Sequence, residues 1–289
     1  MSIFVQVILN TLLAGGGYVL LSLGFNLLYK TRKFFDISYG VLITIGGYMM
    51  FFFRRELSFS FLLSLSLALI VTVFVALIFD SLIYNRFQKK KNVSNLVPLI
   101  ASLGVYTAVT AILSMLFTSQ YQSLSEGASR IFTFFGGNLT LVNVLTIFTA
   151  ITASVVLLVV LYHSQYGRAL RAIDNDIEVA EITGVPVRKI IIKTVAVSAF
   201  IAGLSGILFG YDTGLLPIMG MAFLLKAVIA SIVGGIGNIR GGILGGLILA
   251  VAENTAVFMF STEWRDPTAF LVLILILLIR PKGLFYRSQ

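Results

Sequence analysis

The sequence predicts an all-α, polytopic transmembrane helical bundle of about eight to ten spans, with a cytoplasmic coupling helix between two of them. Hydrophobic residues make up 58% of the 289 residues and charged residues 11%, whereas soluble domains average about 45–50% and 25%. The hydrophobic residues also occur in repeated runs near the roughly 20 residues that a helix needs to cross a bilayer. No polar stretch is long enough for a soluble domain, so residues 1–289 are predicted to form one membrane domain.

Nine apolar segments follow one another along the chain and are separated by short polar loops. They lie at 3–28, 34–53, 59–83, 96–117, 141–161, 194–209, 221–233, 242–260 and 267–279. The segment at 221–233 is short for a complete span, so a re-entrant or broken element is a second interpretation, stable only where protein or water covers the backbone. The N-terminal segment lacks a basic leader and is too long for the apolar part of a signal peptide, so it is expected to be the first span.

The Lys and Arg residues alternate between loops in the way that sets membrane orientation. With nine spans and an external N-terminus, 16 of the 21 Lys and Arg residues lie in loops predicted to be cytoplasmic, and four lie in external loops. The remaining one, Lys226, falls within or beside a segment. Because cytoplasmic loops are enriched in basic residues, we expect a multi-pass protein of the cell (inner) membrane with its N-terminus outside and its C-terminus in the cytoplasm.

Glycine is frequent, with 26 residues, and it is concentrated in clusters. The clusters lie at 15–17, 46–47, 136–137 and 234–246. Small residues allow helix backbones to approach closely in lipid. Glycine-interrupted helices in both halves of a chain also occur at transporter sites between structural repeats. The sequence contains no convincing repeat, so close helix packing is the simpler explanation.

Several function classes are excluded by the residues that the chain lacks. It has no cysteine and one histidine, His163, which excludes disulfides, thiolate chemistry and a multi-histidine metal site. It has no G-x-x-x-x-G-K-S/T phosphate loop and no G-x-S-x-G or H-E-x-x-H motif. The net charge of +9 is spread over loops between apolar segments, so nucleic-acid binding is not expected.

The loop segment at about 164–193 differs from the rest of the chain because it is amphipathic and charged. Five residues share one side of a predicted helix, namely Ile173, Ile177, Ala180, Glu181 and Gly184. Three acids lie near its start, where they suit the helix dipole, namely Asp174, Asp176 and Glu178. Gly184 and Pro186 then end the helix. Such a helix could insert into a groove of a cytoplasmic partner or lie on lipid headgroups, and its acids disfavour anionic lipid.

At this segment the chain resembles a known family. The stretch GRALRAIDNDIEVAEITGVPVRKI at 167–190 resembles the cytoplasmic coupling loop of ABC importer permeases. More narrowly, it is similar to the branched-chain amino acid permease family and its urea-permease relatives. EVAEITG at 178–184 fits the family pattern Glu-x-x-x-x-x-Gly, with Val179 in place of the first Ala.

Three further stretches carry the same resemblance. LLKAVIASIVGGIGNIRGGILGGLILAVAEN at 224–254 resembles the family's glycine-rich segment, with Arg240 in place of the usual Pro. RDPTAFLVLILILLIRPKGLF at 265–285 resembles its last helix and its Arg-Pro-x-Gly-Leu ending. GFNLLYKTRKFFDISYGVLITIGGY at 24–48 resembles the second-helix region, but DISYG at 36–40 replaces the usual Asn-Phe-Ala-His-Gly. This departure leaves the identity of the substrate open.

The resemblance implies a permease subunit of an ATP-driven (ABC) importer that translocates a small polar solute, either a branched-chain or another amino acid. ATP and Mg would bind to separate cytoplasmic ATPase subunits, so no cofactor and no enzymatic activity are expected in this chain. The other implied partners are a second permease subunit, related or identical, an external solute-binding protein and membrane lipid. The resemblance assigns ATPase coupling to five residues, namely Asp174, Glu178, Ala180, Glu181 and Gly184.

Ionisable residues within apolar segments are the candidates for the substrate pathway, because their insertion costs about 2.5–3.5 kcal/mol. The candidates are Asp36, Lys226 and Glu253. The resemblance adds two pathway positions, Ser38 and Tyr39. Asp36 is expected to meet an ammonium group, and Lys226 to meet a carboxylate or to pair with Glu253 or Asp36. The alternative for all three is structural ion pairing or extension of the side chain to a membrane interface. Asp80 lies near a segment end and is expected to extend towards the headgroups.

Two other functions are compatible with a polytopic membrane protein. A stand-alone, ion-coupled secondary transporter that uses Asp36 or Glu253 would transport its substrate without an ATPase. An integral membrane enzyme that modifies lipid would need a catalytic constellation at an interface, and the sequence contains none that is recognisable. Co-purification of an ATPase separates the importer from both alternatives.

Overall fold

The computed structural model describes residues 2–88, 94, 96–125, 131–134 and 137–285. Within them the chain is almost entirely helical, which confirms the all-α, polytopic class. The helices are α1 (Ser2–Arg32), α2 (Ser38–Phe51), α3 (Phe61–Phe79), α4 (Asn85–Gln88), α5 (Leu96–Phe117), α6 (Leu141–His163), α7 (Gln165–Asn175), α8 (Ile177–Ile182), α9 (Val187–Thr213), α10 (Met219–Gly234), α11 (Ile239–Met259) and α12 (Arg265–Ile279).

Short irregular elements accompany these helices. A π-helical turn at Phe52–Glu56 continues α2, another at Asp80–Tyr84 continues α3, and a 3₁₀ turn at Thr262–Trp264 precedes α12. A two-stranded antiparallel hairpin, β1 (Ile131–Phe134) and β2 (Gly137–Thr140), precedes α6 and was not predicted. Several residues of the charge and glycine patterns lie outside the described residues, namely Lys89, Lys90, Lys91, Arg130, Gly136 and Arg287.

Six described helices are long and apolar enough to cross a membrane. They are Val5–Arg32, Phe61–Phe87, Leu96–Phe117, Leu141–His163, Val187–Thr213 and Ile239–Met259. The remaining predicted segments form the shorter helices α2, α10 and α12, of 14, 16 and 15 residues, so six of the described helices meet the criteria of length and composition, where eight to ten spans were predicted. Helix α10 is continuous from Met219 to Gly234 and rises only about 24 Å, so this segment is short rather than broken.

The chain divides into two compact units, each assembled from separate stretches. The first unit comprises Met1–Asn26, Ser125–Leu158 and Leu225–Gln289, and the second comprises Leu27–Leu124 and Val159–Leu224. Each unit contains one group of the charged residues that the sequence singles out. Lys226 and Glu253 belong to the first unit, whereas Asp36 and the loop segment 164–193 belong to the second.

In the first unit, glycines on α1 allow this helix to pack closely against α6 and α11. A Cβ atom at Gly15 would lie 3.0 Å from Leu247 Cδ2, and one at Gly16 would lie 3.5 Å from Ala150 Cβ. Both glycines lie inside a continuous helix. The cluster at 15–17 therefore serves helix packing, as the simpler interpretation predicts.

In the second unit, α2 packs against both α3 and α9. A methyl group at Gly46 would overlap the backbone of Gly203, and one at Gly206 would overlap the carbonyl of Ile43, so these positions require the absence of a side chain. In the hydrophobic 18-residue stretch of Val187–Thr213, 67% of the residues are buried, compared with 28% in that of Phe61–Phe87. The exposed surface of the latter helix is apolar, which suits contact with lipid.

Candidate functional site

In the loop segment 164–193 two helices, α7 and α8, precede the start of α9, where a single helix was predicted. Asp176 separates them with an extended backbone conformation (φ −156°, ψ 121°). Its carboxylate accepts hydrogen bonds from the amides of Glu178 at 2.8 Å and Val179 at 3.1 Å, a cap that contributes about 0.5–2 kcal/mol. The prediction that Ile173 and Ile177 share one helix is therefore wrong, because this short acidic side chain ends one helix and begins the next.

Helix α8 carries most of the predicted coupling residues and exposes most of its surface. Ala180 is buried, at 1% exposure. Three predicted coupling residues are exposed, namely Glu178, Glu181 and Gly184. Two apolar side chains on α8 are also exposed, Val179 at 56% and Ile182 at 85%. The helix therefore presents a mixed acidic and apolar surface that is anchored through Ala180, and Gly184 leaves it with a φ of +84°, which glycine adopts without strain.

Asp174, the fifth predicted coupling residue, lies at the end of α7 rather than on α8. Its carboxylate forms ion pairs with Lys30 and Lys33 at and beyond the C-terminal end of α1. The ammonium of Lys33 also donates to the backbone carbonyl of Asp174 at 2.7 Å. The expectation that Asp174 stabilises the start of the coupling helix is therefore wrong, because its side chain binds two lysines within the chain.

Asp36 lies in an ionic cluster, which we define as Arg32, Asp36, Asp80 and Arg188. All but Arg188 are buried. Asp36 forms an ion pair with Arg32. Its Oδ1 atom accepts hydrogen bonds from the Ser38 amide at 3.0 Å, the Ser38 hydroxyl at 2.5 Å and the Tyr84 hydroxyl at 3.1 Å. Asp36 is 2% exposed, and Tyr39 on α2 is fully buried. This geometry favours the structural ion pair that was the alternative for Asp36, and its place in the substrate pathway stays a prediction.

Asp80 joins the two arginines of the ionic cluster. Its Oδ2 atom lies 2.7 Å from Arg188 Nη1, and its Oδ1 atom lies 3.4 Å from Arg32 Nη2. The guanidinium of Arg32 also lies 4.0 Å from the ring centroid of Tyr84. Asp80 is completely buried, so the expectation that it extends towards the headgroups is wrong. It points inward because two cations compensate its charge there.

Lys226 and Glu253 form an ion pair of 2.5 Å between α10 and α11 in the first unit. Glu253 is completely buried, and its second oxygen accepts a hydrogen bond of 2.5 Å from the Tyr18 hydroxyl. Lys226 Nζ also lies 2.8 Å from Asp266, whose side chain is 75% exposed. Glu253 was one of the partners expected for Lys226, and this pairing is confirmed. Sequence reasoning did not find Tyr18 or Asp266, because their spacing from the pair carries no periodic signal.

The two family-like stretches in the last third of the chain contact each other. The Leu284 amide donates to the Val233 carbonyl at 3.0 Å, and the Asn238 side chain donates to the Phe285 carbonyl at 2.8 Å. The segment after α12 is thus hydrogen-bonded to the glycine-rich turn between α10 and α11. Arg240, which replaces the usual Pro, is an exposed residue in the first turn of α11. In the part of the chain that the structure describes, no group of three His, Asp or Glu side chains could hold a metal ion.

Known proteins are similar in sequence to this chain over almost its whole length. A family model described as branched-chain amino acid transport system / permease component matches residues 7–279. The chain is 27% identical to the high-affinity branched-chain amino acid transport system permease protein LivH of Escherichia coli (strain K12), over 99% of this chain and 96% of LivH. It is also 27% identical to the permease protein BraD of the same kind of system in Pseudomonas aeruginosa, over 99% and 97%.

A solved structure shares the fold. PsaBC from Streptococcus pneumoniae in complex with Fab aligns with a TM-score of 0.54, over 96% of this chain and 93% of that one. The two sequences are 10% identical in this alignment. At that identity the similarity supports the arrangement of helices and nothing finer.

Proposed function

This chain belongs to the family of branched-chain amino acid transport system permease components, and we propose that it forms half of the membrane pathway of an ATP-driven importer for branched-chain amino acids. The observation that carries the proposal is the extent of the similarity. The family model matches residues 7–279, and two branched-chain amino acid permease proteins align over 99% of the chain. The similarity therefore includes the whole helical bundle rather than one motif.

ATP and Mg would be bound by cytoplasmic ATPase subunits, whose closure would push on α8. The surface of α8 supports this role, because it combines exposed acids with exposed apolar side chains at Val179 and Ile182. Such a surface suits a groove on a protein, whereas acids are repelled by anionic headgroups. We assign the contact to Glu178, Glu181 and Gly184, with Ala180 as the buried anchor.

We propose that the charged ends of the amino acid bind to the Lys226–Glu253 group in the first unit. The substrate carboxylate would replace Asp266 as the second partner of Lys226, since an exposed ion pair contributes only about 0–1 kcal/mol. Glu253 and the Tyr18 hydroxyl would face the substrate ammonium. Asp36 is a less suitable site, because its cation Arg32 has the buried Asp80 as its second partner, whereas the second partner of Lys226 is the exposed Asp266.

The transport cycle requires a second permease, related or identical, and an external solute-binding protein. A ligand shifts the pathway between its two facings only if it binds one of them better, so the binding protein and ATP supply the bias. We also propose an external N-terminus and a cytoplasmic C-terminus. The basis of this orientation is the enrichment of Lys and Arg in the loops assigned to the cytoplasm. Two contacts join segments that were predicted for the same side, Lys30 with Asp174 and Asn238 with Phe285.

The test is purification of the tagged chain from its native membrane in a mild detergent, followed by reconstitution into proteoliposomes. We expect an ATPase to co-purify and to drive uptake of leucine, isoleucine or valine. Glu181→Arg should abolish this uptake, because it reverses the charge of the α8 surface. The control is Glu263→Arg, which makes the same change at an exposed acid in the Thr262–Trp264 turn.

Two results would contradict the proposal. Uptake that proceeds without any ATPase would indicate a secondary transporter. ATP-dependent uptake of urea or polyamines, with no uptake of amino acids, would leave the importer in place and remove the proposed substrate.

A further inference from the structure

Charged residues of the loop segment 164–193 contact the ends of other helices at two points in the second unit. Asp174, at the end of α7, pairs with Lys30 and Lys33 near the end of α1. Arg188, the second residue of α9, pairs with Asp80 at the end of α3. These two contact points flank α8 in the sequence, so a movement of α8 would pull or push on both ion pairs.

The contact at Asp80 leads into a chain of ion pairs. One carboxylate oxygen of Asp80 lies 2.7 Å from Arg188, and the other lies 3.4 Å from Arg32. Arg32 pairs in turn with Asp36, two residues before α2 begins. The ionic cluster therefore joins the start of α9 to the ends of α3 and α1 and to the start of α2.

Three of the four members of the ionic cluster are buried, namely Arg32, Asp36 and Asp80, which strengthens the electrostatic interactions between them. The side chains of Asp80 and Arg32 are 1% and 3% exposed, so their interaction is little screened by water. Two arginines and two aspartates balance in charge. Asp80 also begins a π-helical turn, a distortion that is frequent at functional sites. Arg188, at 37% exposure, is the member that enters the cluster from the loop segment.

We propose that Arg188 and Asp80 are positioning residues for transport, which carry the displacement of α8 to α1, α2 and α3 through their ion pair. The inference rests on the proposed function, because it requires α8 to receive the ATP-driven movement. Four residues, 183–186, separate α8 from α9, so a shift of α8 reaches Arg188 along the chain. An ion pair suits this task because its separation would leave the buried Asp80 carboxylate with less compensation, which is costly.

The test compares Arg188→Gln with Lys189→Gln in the complete complex with its co-purifying ATPase, reconstituted into proteoliposomes. Lys189 is exposed and adjacent, so the control removes the same charge from the same helical turn. ATP hydrolysis and uptake of radiolabelled leucine are measured together. We expect Arg188→Gln to keep its ATPase and its hydrolysis, while the leucine transported per ATP falls by about tenfold, in the range of typical coupling effects. Lys189→Gln should match the unaltered chain, and Arg188→Lys should restore most of the coupling.

Asp80→Asn breaks the same ion pair from its other side and decides the question if Arg188→Gln does not fold. A folded variant of either kind that couples as tightly as the unaltered chain would overturn the inference. Loss of the folded complex in both variants, with Arg188→Lys intact, would also overturn it, because the pair would then only hold the fold. If the unaltered complex shows no ATP-dependent uptake, the proposed function itself fails. Normal coupling in the unaltered complex with unaffected variants rejects the inference alone.

Discussion

Removal of the Lys226 ammonium should destabilise the first unit far more than removal of either of its acidic partners. Glu253 is completely buried and Lys226 is 12% exposed, whereas the Asp266 side chain is 75% exposed. Breaking a buried ion pair from one side costs about 3–5 kcal/mol, because the other charge stays buried without compensation. An exposed pair contributes about 0–1 kcal/mol. The three charges therefore differ in their predicted contributions to stability, although Lys226 contacts both acids.

We expect Lys226→Met to lower the free energy of unfolding by about 3–5 kcal/mol and Asp266→Asn to lower it by less than about 1 kcal/mol. Glu253→Gln should cost about 1–3 kcal/mol, since Tyr18 can still donate to the amide oxygen and Lys226 keeps Asp266. In the double variant Lys226→Met/Glu253→Gln no buried charge is left unpaired, because Asp266 is exposed. Its cost should be at least about 2 kcal/mol smaller than the sum of the single costs.

The assay is reversible unfolding from mixed micelles by increasing SDS, followed by the fluorescence of Trp264, the only tryptophan in the sequence. Lys189→Met removes an exposed lysine and serves as the control, with an expected effect under about 0.5 kcal/mol. Additive single costs, within about 0.5 kcal/mol, would refute the reasoning. So would an Asp266→Asn variant as unstable as Lys226→Met.

Three further predictions follow from single positions. Gly206→Ala should lower stability by about 1–3 kcal/mol through overlap with the Ile43 backbone, whereas Gly104→Ala, in open space within α5, should raise it by about 0.5–1 kcal/mol; thermal unfolding in detergent measures both, and equal effects would contradict the packing argument. Asp176→Ala should destabilise α8 by about 0.5–2 kcal/mol and Asp176→Ser by less, measured by hydrogen exchange of the α8 amides; unchanged exchange in the Ala variant would exclude the cap. Burial raises the pKa of Tyr166 above its ordinary value of 10.0, so the stability that its neutral form contributes is complete below pH 10 and declines above it. Tyr166→Phe should weaken this alkaline decline in a pH series of unfolding, and an unchanged slope would contradict it.

The two charged groups share one physical rule. One buried carboxylate of each group has a cation and a hydroxyl as partners: Glu253 binds Lys226 and Tyr18, and Asp36 binds Arg32 and Tyr84. A carboxylate in a low-dielectric interior is stable only with such compensation. For this reason burial of a charge in this chain indicates a structural ion pair. A role in transport has to be shown by a change in uptake.

Hydropathy was sufficient to locate the helices. The segment predicted at 96–117 coincides with α5, and each of the other eight apolar segments contains a helix, because lipid requires an internally hydrogen-bonded backbone. The ends were less predictable. Helix α9 begins at Val187 and ends at Thr213, beyond the predicted 194–209, since a helix continues into water where its polar residues are solvated. The boundary at Asp176 was missed because an acid at this position can either start a helix or lie within one.

The sequence by itself determined the membrane class, the number and order of apolar helices and the family, and it gave Glu253 as one of several possible partners of Lys226. Tertiary structure decided which charges meet. Arg32 and Asp36 are four residues apart and could have been paired from helical spacing. Asp80 and Arg188 lie on different helices, and neither spacing nor composition links them. Their contact exists because α3 and α9 pack together in the second unit, and the packing of distant helices is a property of three-dimensional shape that no local pattern records.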